Sequence, residues 1–153
     1  MINRLNLDNH VKFINKYLDL NELLQYLRAT DICVFSGLCL DQIVSGTLSY
    51  SMGCGRPVIT TPIIHAIEAV TPERGILVEP GNTKSYTEAI IKLLSNPRLR
   101  EIMGKNSYEY TRQMIWPNVA AEYLRVFNKV IKLSEGVIKI PLKSKTTHQR
   151  WVA

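Results

Sequence analysis

Short apolar runs and amphipathic stretches alternate along the first two thirds of this 153-residue chain. The apolar runs have the length and composition of strands, and they lie at residues 10–14, 31–36, 57–61 and 75–79. The stretches between and after them place apolar residues at helical spacing, at residues 20–29, 45–54, 63–70 and 83–94. Strands joined by helices of this length pair in parallel. The pattern therefore predicts an α/β fold in which a parallel sheet carries helices on both faces.

The pattern beyond residue 97 is helical up to about residue 133. Apolar residues recur at helical spacing after Arg98, Trp116-Pro117 interrupts them, and Val119 to Leu133 resumes the period. This predicts a pair of C-terminal helices with a kink at the Trp-Pro step. Residues 136–153 show no sustained period and are expected to be disordered. We therefore divide the chain into a domain at 1–134 and a basic tail at 135–153.

The net charge of +6 is confined to the end of the chain. Residues 1–122 contain 12 Lys and Arg against 12 Asp and Glu, whereas residues 123–153 contain seven basic residues and only Glu135 as an acid. A nucleic-acid-binding face would spread basic residues over one surface of the domain. The distribution argues against nucleic acid as a partner. A basic tail could touch an anionic membrane surface, but a solvated tail is the favoured interpretation.

Cysteine usage and hydropathy limit the class of protein further. Cys33, Cys39 and Cys54 are odd in number and show no CxxC spacing, which favours buried, reduced thiols over disulfides or a metal site. No apolar run reaches membrane-spanning length and no leader pattern is seen. A cytoplasmic protein is expected.

The carboxyl ends of the predicted strands carry the candidate chemistry. Open parallel sheets bind ligands at this edge, and here the strands end at Ser36-Gly37 and Thr60-Thr61. Ser45-Gly46-Thr47 then starts a helix, whose free amides and partial positive charge suit a phosphate. His65 and Glu68 stand three residues apart and could face the same edge. The alternative is structural, with a helix cap at Ser45, small residues that permit close packing, and a surface or capping histidine.

Several segments, taken in order, resemble one known family more specifically than any single motif does. They are residues 31–32, DQIVSGTLSYSMGCGRPVITTPIIHAIEAV (41–70), GILVEPGN (75–82), AIIKLLSNPRLREIMGKNSYEYTR (89–112) and MIWPNVAAEYLRVF (114–127). Together they resemble the C-terminal, donor-binding domain of family-four GT-B glycosyltransferases. The likeness implies a Rossmann-like domain that binds a nucleotide sugar, in an enzyme that transfers the sugar with retention at the anomeric carbon.

The resemblance also implies which residues hold the donor. The donor-binding residues lie at one sheet edge, with the last four on the family's diphosphate segment: Ser36, Gly37, Asp41, Gln42, Ser45, Gly46, Thr47 and Leu48. Further candidates are Tyr50, Thr61, His65 and Glu68. Gln42 and Tyr50 stand where many members have two glutamates, of which the second accepts from the ribose hydroxyls. Tyr50 offers only one hydroxyl there, and the subgroup that the segment resembles most also lacks the second glutamate. No catalytic residue is assigned, and neither a cofactor nor a metal is expected, because helix N-termini and basic side chains meet the diphosphate charge.

The family pattern contains parts that lie upstream of these residues. An acceptor-binding domain and basic phosphate-holding residues precede the first strand predicted here. We therefore expect a chain truncated at its N-terminus, or one that works with a separate partner chain, and no sugar transfer by the isolated polypeptide. The alternatives are a non-catalytic remnant or a nucleotide-binding or interaction module. A receiver or flavodoxin-like domain is disfavoured, because no acidic cluster follows the first strand.

Overall fold

The computed structural model describes residues 1–134, which contain one short 3-10 helix, six α-helices and three strands. The elements follow one another in this order: the 3-10 helix Asn3–Leu5, α1 Leu20–Ala29, β1 Cys33–Phe35, α2 Gly46–Gly53, β2 Val58–Thr60, α3 Ile64–Ala69, β3 Gly75–Leu77, α4 Thr83–Leu94, α5 Pro97–Arg112 and α6 Trp116–Ser134. Residues 1–112 form one compact unit, and the unit that follows contains α6. The basic tail predicted at residues 135–153 lies outside the described residues.

The sheet is parallel and has the strand order β1-β2-β3. Val34 pairs with Ile59 across the first ladder, and Ile59 pairs with Ile76 across the second. All three residues of β2 are buried, as expected for a central strand whose two faces are both covered. The predicted α/β class, with a parallel sheet between helices, is confirmed.

The strand predicted at residues 10–14 is wrong. Residues 8–10 form a turn, in which the amides of His10 and Val11 both donate to the Leu7 carbonyl. The apolar side chains of this segment do not reach the core, since Val11 is 42% and Phe13 80% exposed. Alternation of apolar and polar residues marks a segment that could pair, but a strand also needs a neighbour, and no strand of residues 1–134 pairs with this one.

Two apolar clusters cover the two faces of the sheet, and β2 contributes neighbouring residues to each. Val58 belongs to the first, whose buried members are Cys33, Leu48, Met52, Val58, Ile63, Ala66, Ala69 and Val70. Ile59 belongs to the second, with Val78, Ala89, Leu93 and Met103. Successive residues of a strand point to opposite faces. The clusters therefore place α2 and α3 on one face and α4 on the other.

Three of the described α-helices begin with a polar N-cap side chain, including the one expected at Ser45. Asp19, Ser45 and Asn82 are the N-caps of α1, α2 and α4, and each side chain accepts a backbone amide three residues later. The predicted break at Trp116-Pro117 is displaced, because α5 ends at Arg112 and α6 already begins at Trp116. Pro117 thus lies in a first helical turn, where its missing N–H leaves no intrahelical bond unmade.

The cysteines differ in accessibility, so the expectation of buried thiols is right for Cys33 and wrong for Cys39. Cys33 is buried, Cys54 is half-buried and Cys39 is exposed in the loop after β1. Burial raises the pKa of the Cys33 thiol, which lowers its thiolate population at neutral pH.

We predict that iodoacetamide alkylates Cys39 at least about tenfold faster than Cys33 in the native protein, because the thiolate is the nucleophile and the reagent must reach it. Peptide mass spectrometry of timed samples measures both rates. In urea the two rates should converge. Equal rates in the native state would contradict the burial of Cys33.

Candidate functional site

The carboxyl ends of the three strands lie at one edge of the sheet. The strands end at Phe35, Thr60 and Leu77, and parallel pairing brings these ends side by side. The loop 36–45 after β1 is the longest connection at this edge and leads directly into α2. Ligands of open α/β sheets bind at this edge.

The start of α2 presents free backbone donors at this edge. Ser45 is the N-cap, and its hydroxyl and carbonyl accept the amides of Leu48 at 3.4 Å and Ser49 at 3.1 Å. The amides of Gly46 and Thr47 have no acceptor within residues 1–134, and both residues are exposed. Such amides, at the positive end of a helix dipole, suit an anionic oxygen.

The loop before α2 is held by α3. The amides of Ile64 and His65 donate to the carbonyls of Leu40 at 3.1 Å and Gln42 at 3.4 Å. The Gln42 side-chain amide donates to the Val44 carbonyl at 2.9 Å. The first amides of α3 thus donate to carbonyls of this loop, and these hydrogen bonds fix the loop conformation before α2.

His65 lies at the edge in a structural arrangement. Its Nδ1 accepts the Ser45 amide at 2.9 Å, so it bridges α3 and the cap of α2. Glu68, one turn further along α3, is exposed. His65 thus bonds to the loop, whereas Glu68 is exposed to solvent. Neither residue lines the clefts described below.

The first cleft at this edge, here called the helix-start cleft, has a volume of about 310 Å³. It brings together six of the predicted donor-binding residues, namely Ser36, Gly37, Gln42, Ser45, Thr47 and Leu48. Thr60, which is a predicted strand end, lines it too, and the remaining lining residues are ones that the sequence does not mark: Val34, Phe35 and Ile63. Val34 and Phe35 lie inside the predicted strand 31–36, so the rule of strand ends does not select them.

A second cleft adjoins the first along Val34 and Ser36, and it is called here the Tyr86 cleft. Its volume is about 340 Å³, and its remaining lining is Leu38, Thr61, Gly81, Thr83 and Tyr86. The Tyr86 hydroxyl donates to the Phe35 carbonyl at 2.9 Å, and burial raises the pKa of that phenol. Gly81 follows β3, so the strand-end rule could have found this side of the cleft.

The candidate Thr61 lines the Tyr86 cleft and bonds to a residue of the helix-start cleft. Its side chain is buried, and its hydroxyl donates to the Gly37 carbonyl at 2.7 Å. A Cβ added to Gly37 would lie 3.5 Å from Thr61 Oγ1 and from Ile63 Cγ2, so the loop runs close to the end of β2. Thr61 therefore shapes this edge rather than only bordering it.

Three other predicted residues lie outside both clefts. Asp41 is exposed in the loop. Gly46 is exposed at the start of α2, where an added Cβ would lie 3.9 Å from the Tyr50 ring. Tyr50 is 42% exposed one turn further along the helix. The space that a side chain at position 46 would occupy therefore borders the Tyr50 ring.

The two clefts are electrically neutral. No charged side chain is among the residues that line them in the described part of the chain. The groups available to an anion are the free amides of α2 and the hydroxyls of Ser36, Ser45 and Thr47. Within residues 1–134, no group of three His, Cys, Asp or Glu side chains is placed to hold a metal ion.

A larger cleft, of about 500 Å³, lies at the opposite edge of the sheet, near the amino end of β2. It contains Arg56 and Arg100, but both guanidinium groups already donate to backbone carbonyls, of Thr30 at 3.1 Å and of Leu93 at 2.6 Å. These arginines hold loop and helix ends together. The start of α5 borders this cleft, but its first residue is Pro97, which has no amide hydrogen to donate, so this cleft is the weaker candidate.

Comparison with known proteins finds similar glycosyltransferases. The family model described as glycosyl transferases group 1 matches residues 1–96. An uncharacterized glycosyltransferase of Methanocaldococcus jannaschii is 28% identical over 127 residues, which cover 82% of this chain and 32% of that protein. The capsular polysaccharide biosynthesis glycosyltransferase CapM of Staphylococcus aureus is 37% identical over 86 residues, which cover 52% of this chain and 22% of CapM. The chain thus spans about a third or less of these relatives.

Solved structures share the fold. Sucrose-phosphate synthase of Thermosynechococcus elongatus superimposes with a TM-score of 0.71 at 25% identity, over 86% of this chain and 33% of that one. The C-terminal domain of the group 1 glycosyl transferase LpcC of Francisella tularensis gives 0.64 at 27%, over 71% and 55%. HepE of Anabaena, solved in complex with UDP, gives 0.71 at 21%, over 86% and 35%. The described helices and sheet therefore resemble the C-terminal domain of GT-B glycosyltransferases.

Among residues 1–134, no helix is both long and apolar enough to cross a membrane.

Proposed function

The chain belongs to the group 1 family of glycosyl transferases, and from that membership we propose that its helix-start cleft binds the diphosphate of a nucleotide-sugar donor. The enzyme class proposed is the retaining, family-four type with a GT-B fold. In this scheme residues 1–112 supply the donor half, and an N-terminal acceptor domain, in the same or a separate chain, supplies the other.

The observation that carries the proposal is the pair of free amides at Gly46 and Thr47. They stand at the positive end of α2, beside a cleft of about 310 Å³ that opens at the carboxyl edge of the sheet. A diphosphate placed there would receive backbone donors together with the Thr47 hydroxyl. Gly46 carries no side chain, so the backbone can approach the phosphate closely.

The neutral lining favours weak binding by this half alone. Because Lys and Arg are absent from both clefts in residues 1–134, the diphosphate charge meets only dipoles there. Hydrogen bonds from the amides to the diphosphate are themselves charge-assisted, but a cationic side chain would add an ion pair that these clefts do not supply within residues 1–134. We expect the basic partners of the donor to come from outside these residues, and we expect no requirement for a metal ion.

A second candidate function is a nucleotide-binding module without catalysis. The same neutral lining favours it, since among residues 1–134 neither cleft is lined by a carboxylate or an imidazole that could act as a general acid or base. The two functions are distinguished by sugar release from a nucleotide sugar when an acceptor domain is supplied. Transfer identifies the enzyme half, and binding without transfer identifies the module.

Calorimetric titration of the full chain with UDP, GDP and ADP tests the proposal. UDP is the first probe because HepE was solved in complex with it. We predict saturable binding of at least one nucleotide with a dissociation constant of about 0.1 to 1 mM, equivalent to roughly 4 to 5.5 kcal/mol. Magnesium and EDTA should leave it unchanged.

Amide NMR shifts locate the bound nucleotide, and the largest shifts are expected at Gly46 and Thr47. Pyrophosphate should perturb the same amides, and uridine should not. Absence of binding by all three nucleotides at about ten times the expected dissociation constant would overturn the proposal, as would shifts confined to another edge of the sheet.

A further inference from the structure

A histidine on one helix holds the cap of another. His65 is on α3, Ser45 is the N-cap of α2, and the Ser45 amide donates to the His65 Nδ1 at 2.9 Å. An imidazole nitrogen that accepts a hydrogen bond carries no proton, so His65 is neutral here and its proton is on Nε2. Nε2 itself has no partner within residues 1–134.

The contact fixes the residue that orients the free amides. The Ser45 hydroxyl accepts the Leu48 amide, and its carbonyl accepts the Ser49 amide. The His65 backbone amide also donates to the Gln42 carbonyl at 3.4 Å. His65 therefore holds the loop at two points, one on each side of Val44, immediately before the chain enters α2.

We propose that His65 is a positioning residue, whose neutral imidazole sets the orientation of the Gly46 and Thr47 amides toward the ligand. The inference rests on the proposed function for the identity of that ligand. The inference goes beyond the proposed function because it assigns a role to a side chain that lines neither cleft. The residue acts through Ser45 and makes no contact with a diphosphate.

Protonation of His65 removes the contact. An imidazolium donates from both nitrogens, so the Ser45 amide would face a donor instead of an acceptor. Histidines generally change charge between about pH 5 and 8. The titratable groups on α3, on α2 and in the loop are Glu68, Tyr50, Asp41 and Cys39, and Tyr110 of α5 packs against the apolar cluster that contains α3. None of these side chains accepts the Ser45 amide, whose acceptor is His65 Nδ1.

The first experiment reads the imidazole itself, without a ligand. Nitrogen-15 NMR of the full chain at pH 8 should show His65 with its proton on Nε2, and the Ser45 amide shift should follow the titration of His65 as the pH is lowered. A His65 proton on Nδ1 at pH 8, or a Ser45 amide that ignores the titration, would overturn the proposal.

The second experiment compares UDP binding by three proteins at pH 8 and pH 5.5. His65→Asn puts an acceptor oxygen near the position of Nδ1 and does not titrate, so it should rescue binding that His65→Ala loses. At pH 8 we expect the alanine variant to bind about fivefold more weakly than the natural protein, and the asparagine variant to bind within about twofold of it.

The pH dependence separates positioning from a general structural role. UDP also gains a proton near pH 6, but that change is common to all three proteins. Between pH 8 and 5.5 the natural protein should lose about fivefold more affinity than His65→Asn does. Parallel pH profiles would overturn the proposal even if His65→Ala failed to fold. If no protein binds UDP, the proposed ligand is wrong, and the NMR experiment still decides whether His65 holds Ser45.

Discussion

Replacement of Gly104 by alanine is expected to lower the free energy of unfolding by about 2 kcal/mol. Gly104 lies inside α5, where the helix crosses the turn at Gly55, and it is buried. A Cβ at this position would approach the Gly55 carbonyl oxygen more closely than the 3.0 Å that real Cβ atoms keep. The obstacle is a backbone atom, which cannot rotate away.

The size of this effect follows from two opposing terms. Alanine gains about 1 kcal/mol over glycine inside a helix. Overpacking against a fixed neighbour costs about 1–3 kcal/mol, and a clash with backbone belongs at the upper end of that range. The helices α2 and α5 must move apart to relieve it, which would expose part of the packing between them.

Gly53→Ala is the matched control. Gly53 is also helical, as the last residue of α2, but its added Cβ would find its nearest neighbours at 3.9 Å, the side-chain atoms of Arg112 and Thr111. This variant should gain stability, by up to about 1 kcal/mol. Urea unfolding followed by circular dichroism measures both. An unchanged or raised stability of Gly104→Ala would show that the close approach of α5 to Gly55 is absent.

The elements that could be predicted from sequence are those with a local cause. The helix starts at Asp19, Ser45 and Asn82 were predictable because each side chain caps an amide three residues away. The three observed strands coincide with predicted apolar runs, whose strand-forming residues are also recognisable locally. The segment 10–14 shows the limit, because pairing depends on a neighbouring strand that the alternation of its own residues does not reveal.

The predicted site was recovered where it follows from topology, and missed where it depends on contacts between distant residues. Six predicted residues line the helix-start cleft because a parallel sheet brings strand ends together. Tyr86 was not selected, since its hydroxyl bond to Phe35 joins residues 51 positions apart. The spacing of His65 and Glu68 on a predicted helix marked His65 as a candidate, but only the fold places its Nδ1 on the Ser45 amide.

Thr47→Glu is expected to abolish measurable UDP binding, by about 100-fold or more, without unfolding the protein. Thr47 is the second residue of α2 and is exposed beside the free amides. A carboxylate within about 4 Å of a phosphate charge costs roughly 4 kcal/mol at an effective dielectric constant of 20. The same carboxylate favours the helix by about 0.3–1 kcal/mol, because it lies at the positive end of the dipole.

The opposite signs of these two effects make the prediction specific, and Asn21→Glu is its matched control. Asn21 is the second residue of α1, is exposed, and undergoes the same change of charge. Its UDP affinity should stay within about twofold of the natural protein, since its helix start has no part in the proposed site. Thr47→Gln, which has the size of glutamate without its charge, should lose less than about tenfold. Because circular dichroism and calorimetry read the same samples, a folded Thr47→Glu protein that binds UDP like Asn21→Glu would remove the diphosphate from the start of α2.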